Sequence, residues 1–267
     1  MQDHFLESCG IAYRTNELRS DRQTLVFIHG LSGSCSAWYL FEKLFEDTHN
    51  VVTYDLRGHG LSKRCKKFDE YAIELFAADL QNLLDHLKID TCVLISHSFG
   101  TLIALEFMTK NAVRVTRNIF LSPNFHTRDY LLIRIIRPFV TIASLTFSLI
   151  PSIHTRGRRI DYTTIPKPSA DWSLRRIIPE IHAMSLRLYL YCLRHIYAYE
   201  HDNLWATITV PTLVVHGERD SFVPLRYGIQ VAHIISDAKL VILKGANHML
   251  VLNNVPEVCE EIEKFIR

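Results

Sequence analysis

Three residue types that together can open an acyl bond lie far apart in this chain, each just past a short apolar run. Ser98 stands in Ser96-His97-Ser98-Phe99-Gly100, between the run at 92–95 and a helix-like stretch at 101–110. That is the small-x-Ser-x-small spacing of a nucleophile elbow, a turn so tight that the positions two before and two after the nucleophile must be nearly free of side chain. Gly100 meets the demand, and Ser96 takes the place of the usual first glycine. Glu218 and Asp220 follow the run at 212–215, and His248 follows the run at 240–243. An alcohol needs a base to remove its proton, and the base needs a carboxylate to hold its ring. A serine, then an acid, then a histidine therefore reads as nucleophile, orienting group and base.

Such residues work together only if the strand ends that carry them converge. From residue 25 onward, short apolar runs (25–28, 51–54, 92–95, 118–121, 212–215, 240–243) alternate with helical patterns (36–46, 71–87, 101–110, 225–235, 256–266). The alternation predicts parallel strands joined by crossover helices, with the strand ends lining one crevice. The stretch 71–87 supports this: Ile73, Phe76, Leu80, Leu83, Leu84 and Leu87 share one helical face, opposite Glu74, Gln81 and Asp85. A hairpin about Gly10 brings the expected strand count to eight. Residues 123–209 show helical pieces and no strand pattern, which predicts an insertion after the sixth strand. The expected organisation is a core of 1–123 and 210–267 with a helical cap at 124–209.

With these motifs in order, the chain resembles the α/β-hydrolase superfamily. The matches are His29-Gly30 after the third strand, Asp55-Leu56-Arg57-Gly58-His59-Gly60-Leu61-Ser62 after the fourth, the elbow after the fifth, and His216-Gly217-Glu218-Arg219-Asp220 with Asn247-His248 after the last two. The resemblance covers the chain outside the insertion. It implies an eight-stranded, mostly parallel sheet with helices on both faces and a helical cap after the sixth strand. It also implies Ser98 as nucleophile, His248 as base and Asp220, in preference to Glu218, as the acid. The backbone N–H groups of Leu31 and Phe99 would form the oxyanion hole. His29 and the loop 55–62 are expected to be structural.

The 267 residues are 48% hydrophobic and 22% charged, with 30 basic and 28 acidic side chains, enough for a large core and without an overall pull toward nucleic acid. The six cysteines are scattered with no C-x-x-C pair, and Met1-Gln2-Asp3-His4 lacks a signal-peptide pattern, so a cytoplasmic protein with reduced thiols is expected. The longest uncharged stretch, 138–153, falls short of the roughly 20 residues of a bilayer span. No cofactor is expected: Lys63 stands where the third glycine of G-x-G-x-x-G would be, and no Cys/His/Asp cluster has metal-ligand spacing.

The insertion is basic, with eleven Arg and Lys against five Asp and Glu between 124 and 200, including Arg156, Arg158 and Arg159. Arg158 and Arg159 are therefore candidates for binding an anionic group on a substrate, an acidic acyl carrier or an anionic lipid surface. The insertion is also apolar from 130 to 153, where Phe139 is a candidate lining residue of an acyl pocket, and aromatic from 189 to 199. The function these features imply is serine-dependent hydrolysis of a small-molecule carboxylic ester, with a medium or long acyl chain favoured. The alternatives are a triad-dependent lyase acting on an anion, which 29–34 also resembles through the menaquinone-pathway lyases, an esterase acting on a carrier-bound acyl group, and a slow-hydrolysing ligand sensor. A carboxylate-nucleophile dehalogenase or epoxide hydrolase is argued against by serine at position 98.

Overall fold

The computed structural model describes residues 1–124, 131–149, 157–200 and 202–267, so Arg156 and the apolar positions 130 and 150–153 lie outside the described residues. In chain order the structure runs β1 (Gln2–Leu6), β2 (Ile11–Thr15), β3 (Thr24–Ile28), α1 (Tyr39–Phe45), β4 (Asn50–Tyr54), α2 (Ile73–His86), β5 (Cys92–His97), α3 (Phe99–Asn111) and β6 (Val115–Leu121). It continues with α4 (Leu131–Leu149), α5 (Leu174–Met184), α6 (Leu186–Ala198), β7 (Thr212–Gly217), α7 (Leu225–Ile234), β8 (Ala238–Leu243), α8 (Leu250–Asn253) and α9 (Val255–Ile266). The eight strands form one sheet in the order β1-β2-β4-β3-β5-β6-β7-β8. β2 pairs antiparallel with β1 and with β4, and every other pairing is parallel. This is the mostly parallel eight-stranded sheet expected from the alternating pattern.

The central strands are buried along their whole length, because helices cover both faces. Alternate residues serve the two faces. Val26, Ile28 and Leu94 join a core with Phe76, Leu80 and Leu84 of α2 and Leu102 and Leu105 of α3, while Leu25, Phe27, Val93 and Ile95 join Trp38, Phe41, Val258 and Ile262 on the other side. Tyr191, Cys192 and Ile196 of α6 belong to the first of these cores, so this part of the inserted sequence packs as main-body structure does.

The insertion's first helix faces the opposite way from expectation at one position. Val140 and Ser144 of α4 are buried, whereas Leu131, Ile135, Phe139, Ile142 and Leu149 are exposed, Phe139 by 67%. Phe139 therefore stands on the outer face of α4, and Ile133 and Ile136 point toward the interior cavity in its place. Among the described residues no helix is long and apolar enough to cross a membrane.

Candidate active site

The elbow is built as tightly as its spacing requires. Ser98 sits at φ 51°, ψ −117°, a strained conformation for a residue with a side chain, and is held there because its N–H donates to the Leu121 carbonyl at 3.0 Å and its carbonyl accepts from Thr101 N at 2.9 Å. A Cβ at Gly100 would lie 2.6 Å from the Ile28 carbonyl oxygen and 2.8 Å from that of His29, so only glycine lets α3 start this close to β3. At Ser96 the side chain is tolerated: it is fully buried and its hydroxyl leans toward the Ile119 carbonyl at 3.4 Å.

Three strand ends bring the distant residues together. Ser98 Oγ lies 2.9 Å from His248 Nε2, and His248 Nδ1 lies 2.7 Å from Asp220 Oδ2. This chain fixes the tautomer: Nδ1–H donates to the carboxylate, leaving Nε2 to accept from the serine hydroxyl. Burial pushes the Asp220 carboxyl up, but the charge and hydrogen bond of His248 and the N–H of Val223 outweigh it and hold it below the usual carboxylate range. Phe222 and Val223 donate to Asp220 Oδ1 at 3.0 and 2.7 Å, so the other oxygen remains aimed at the ring. Glu218, the other acid considered, instead accepts from Gly245 N at 2.8 Å. The N–H groups of Leu31 and Phe99 have no hydrogen-bond partner among the described residues, and both residues line the cavity that contains Ser98. Phe99 opens α3, where an N–H has no carbonyl of its own helix to meet.

Two further residues hold His248 through its backbone: Asp171, which belongs to no motif that the sequence advertises, and His97, the variable position of the elbow just before Ser98. Asp171, in the irregular segment before α5, accepts from His248 N at 2.9 Å and from the backbone and side chain of Ser221 at 2.9 and 2.7 Å. His97 donates from Nε2 to the His248 carbonyl at 2.9 Å, and burial, with the nearby His248, pushes its ring down to about 3, so it is neutral near pH 7. Ser169 adds a second stitch, its carbonyl accepting from Asn247 at 2.8 Å and Asn253 at 2.9 Å. The insertion thus grips both the acid loop and the histidine loop.

His29 and Asp55 are framework. Leu56 N–H donates to His29 Nε2 at 3.1 Å, leaving Nδ1–H to donate to the Gly30 carbonyl at 2.7 Å, and burial lowers the ring to about 4. Asp55, fully buried, accepts from the N–H of Cys35 and of Leu61 at 2.8 and 3.0 Å. It also accepts from Arg159, a residue expected to bind an anionic group, whose Nε donates to it at 2.8 Å while Nη1 binds Asp3. A buried carboxylate 104 positions away in sequence thus pairs with that guanidinium, and Arg159 does not line the cavity. Arg158 is exposed, with Nη2 3.2 Å from His182 Nδ1, and it does not line the cavity. Among the described residues, the Arg or Lys side chain that does line the cavity is Arg176 of α5.

The cavity above Ser98 has a volume of about 300 Å³. Leu31, Trp38, Ile133, Ile136, Leu193 and Leu252 give it apolar walls, and Arg176, Glu180 and Tyr162 form a polar patch within it. A nucleophile with its base, unpaired N–H donors beside it and an apolar chamber above can bind an acyl group and open its carbonyl.

Residues 23–255 match the family model described as the alpha/beta hydrolase fold. The chain is 24% identical over 262 residues to epoxide hydrolase 3 of Xenopus tropicalis, covering 91% of this chain and 71% of that protein. Among solved structures it resembles the enol-lactonase of Burkholderia xenovorans LB400, with a TM-score of 0.71 at 21% identity, covering 96% of each chain. It also resembles a thermophilic esterase of Thermogutta terrifontis, with a TM-score of 0.74 at 20% identity, covering 96% of this chain and 93% of that one. With the family model spanning most of its length and its sheet order and elbow as described, the chain belongs to the α/β hydrolase fold family.

Proposed function

We propose that this protein hydrolyses carboxylic esters of small molecules through an acyl-enzyme on Ser98, with His248 as the base, Asp220 as its orienting carboxylate and residues 124–209 acting as the cap. The observation that carries the reading is the unbroken hydrogen-bond chain Ser98–His248–Asp220, at 2.9 and 2.7 Å, at the floor of a mostly apolar cavity. Ser98 Oγ attacks the ester carbonyl as its proton passes to His248 Nε2, and Asp220 stabilises the imidazolium that forms. The N–H groups of Leu31 and Phe99 meet the developing oxyanion, each worth roughly 3 kcal/mol in such a role. His248 then returns the proton to the departing alkoxide, and a water activated by the same ring releases the acid.

The apolar walls favour a medium or longer acyl chain over acetyl. The lyase, carrier-protein and lipid-surface readings all draw on a basic cap. Arg159 and Arg176 are neutralised within the protein by Asp55 and Glu180, so the small neutral ester is the better supported substrate. Epoxide opening of the kind the relative's name describes is less well supported here, since the elbow presents an alcohol rather than a carboxylate.

The test is hydrolysis of p-nitrophenyl esters from acetyl to palmitoyl, comparing the protein with its Ser98→Ala and His248→Ala variants. Turnover with an optimum beyond acetyl, reduced by about six orders of magnitude in either variant, is expected. Turnover that survives Ser98→Ala refutes the assignment.

A further inference from the structure

The outer face of α4 carries a row of apolar side chains that stands open to solvent. Leu131, Ile135, Phe139, Ile142, Leu145 and Leu149 recur every three or four residues and are all exposed, while Val140 and Ser144 on the opposite side are buried. At 1.5 Å per residue the row runs for about 27 Å. Single apolar residues on a surface need no explanation, but a continuous row of this length marks an interaction surface. Around the same cavity, the segment leading into α5 exposes Trp172, and α5 itself exposes Leu174 and Ile178. Ile136 of α4 and Trp172 line the Ser98 cavity and are also exposed, by 37% and 63%, so each stands where that cavity meets the surface.

Charge decides what covers this face. Arg134 and Arg137 on one flank of the α4 row, and Arg175 of α5, are exposed and make no ion pair among the described residues. α4 contains no acidic residue, and the one acid of α5, Glu180, is buried against Arg176. A second copy of the chain seated face to face on α4 would bring more arginines and no carboxylate to meet them. An anionic bilayer surface offers both halves of the match, an apolar layer for the row and phosphates for the guanidinium groups at its edge. We infer that the outer face of α4 docks the protein on an anionic phospholipid surface, its apolar row at the boundary of headgroups and acyl chains and Arg134 and Arg137 on phosphates. The lipid is here a docking surface and not the substrate, and a neutral ester of the kind proposed above is what such a layer concentrates beside the cavity. Only that last consequence rests on the ester-hydrolase reading; the docking does not.

Vesicle flotation reads the docking without turnover, so a failure here is distinct from a failure to hydrolyse esters. The vesicles are phosphatidylcholine alone and phosphatidylcholine with about 30% phosphatidylglycerol. The protein is expected to partition at least tenfold more strongly onto the anionic vesicles, and raising salt to about 0.5 M should remove most of that advantage. Phe139→Ser combined with Ile142→Ser should weaken binding to the anionic vesicles at least tenfold and leave the thermal melt in place, because both side chains are exposed. Arg134→Gln combined with Arg137→Gln should cut the advantage of anionic over neutral vesicles about tenfold or more, and it decides the matter if the first variant does not fold. No binding to anionic vesicles, equal binding to both kinds, or binding that either folded variant leaves unchanged would each overturn the inference. So would a dimer seen by analytical ultracentrifugation that Phe139→Ser with Ile142→Ser dissociates, since the face would then belong to a second copy.

Discussion

Replacing Asp171 with alanine should slow the chemistry while leaving substrate binding almost intact. The side chain is 5% exposed and does not line the cavity, yet it accepts from His248 N at 2.9 Å and from Ser221 N and Oγ at 2.9 and 2.7 Å. Without it, the buried N–H of His248 loses its acceptor at roughly 1–3 kcal/mol, while the donors of Ser221, an exposed residue, can turn to water. A protein of this size loses about 2–4 °C in Tm per kcal/mol, so a fall of about 2–12 °C is expected, short of global unfolding. The backbone of His248 itself would then be held by the His97 contact to its carbonyl, with the Asn247 stitch and the Gly245 contact to Glu218 beside it. Displacements of about 1 Å in a reacting group cost on the order of 100-fold in rate, which sets a loss of about 10- to 100-fold in kcat with KM changed by less than about twofold. Steady-state hydrolysis of p-nitrophenyl butyrate alongside thermal melts reads both quantities. Asp171→Asn, which retains one acceptor oxygen, should fall between the two. A loss confined to KM, or unchanged kcat and Tm, would show that the insertion does not position the base.

Other perturbations follow from the same contacts. Asp220→Asn should keep the fold and reduce kcat by roughly 10⁴, because the amide no longer enforces the tautomer in which Nε2 accepts from Ser98; a loss under tenfold would mean that another group orients the ring. Gly100→Ala should destabilise the protein by about 1–3 kcal/mol and impair turnover, since its Cβ would meet two backbone carbonyls that cannot yield without moving the elbow; a wild-type melt and rate would contradict that. Stability should also decline in mild acid. His29, His59 and His97 are lowered by burial to about 4, 3 and 3, so the unfolded chain binds more protons than the folded one once pH drops below the ordinary histidine value of about 6.5. Their contribution is fully present above that pH and is lost as pH falls toward 4, at up to about 1.4 kcal/mol per pH unit for each ring. Denaturant melts between pH 7 and 4.5 should show the decline, and a flat profile would refute it.

The catalytic core was legible because each of its parts leaves a local mark. Strands buried on both faces read as short apolar runs, the crossover helix with Ile73, Phe76, Leu80 and Leu84 shows its period, and the elbow needs small residues at fixed offsets from Ser98. The insertion leaves no such marks. On α4 both helical faces are apolar, so periodicity identifies a helix without saying which face turns inward, and Phe139 lies on the outer one while Ile133 and Ile136 line the cavity. The sequence does not pair Arg159 with Asp55 because the two stand 104 positions apart, with β5 and β6 between them. Asp171 is a single charged residue in a segment without a motif, and Arg176 stands beside Arg175 as one of a basic pair; only the approach of Asp171 to the loops after β7 and β8 and the pairing of Arg176 with Glu180 set them apart. Among the cap's charges, a count of basic against acidic residues could not reveal that Arg176 and Glu180 cancel one another inside the cavity.

The central claim is that Ser98 becomes acylated, and trapping the intermediate tests it most directly. The protein should be mixed with excess p-nitrophenyl butyrate, quenched in acid within milliseconds to seconds, digested and mapped by mass spectrometry. The account predicts a butyryl group on the peptide containing Ser98, formed with a burst of p-nitrophenol, longer-lived in His248→Ala wherever any forms, and absent in Ser98→Ala. Ester turnover with the adduct on another residue, or a burst undiminished in Ser98→Ala, would contradict it.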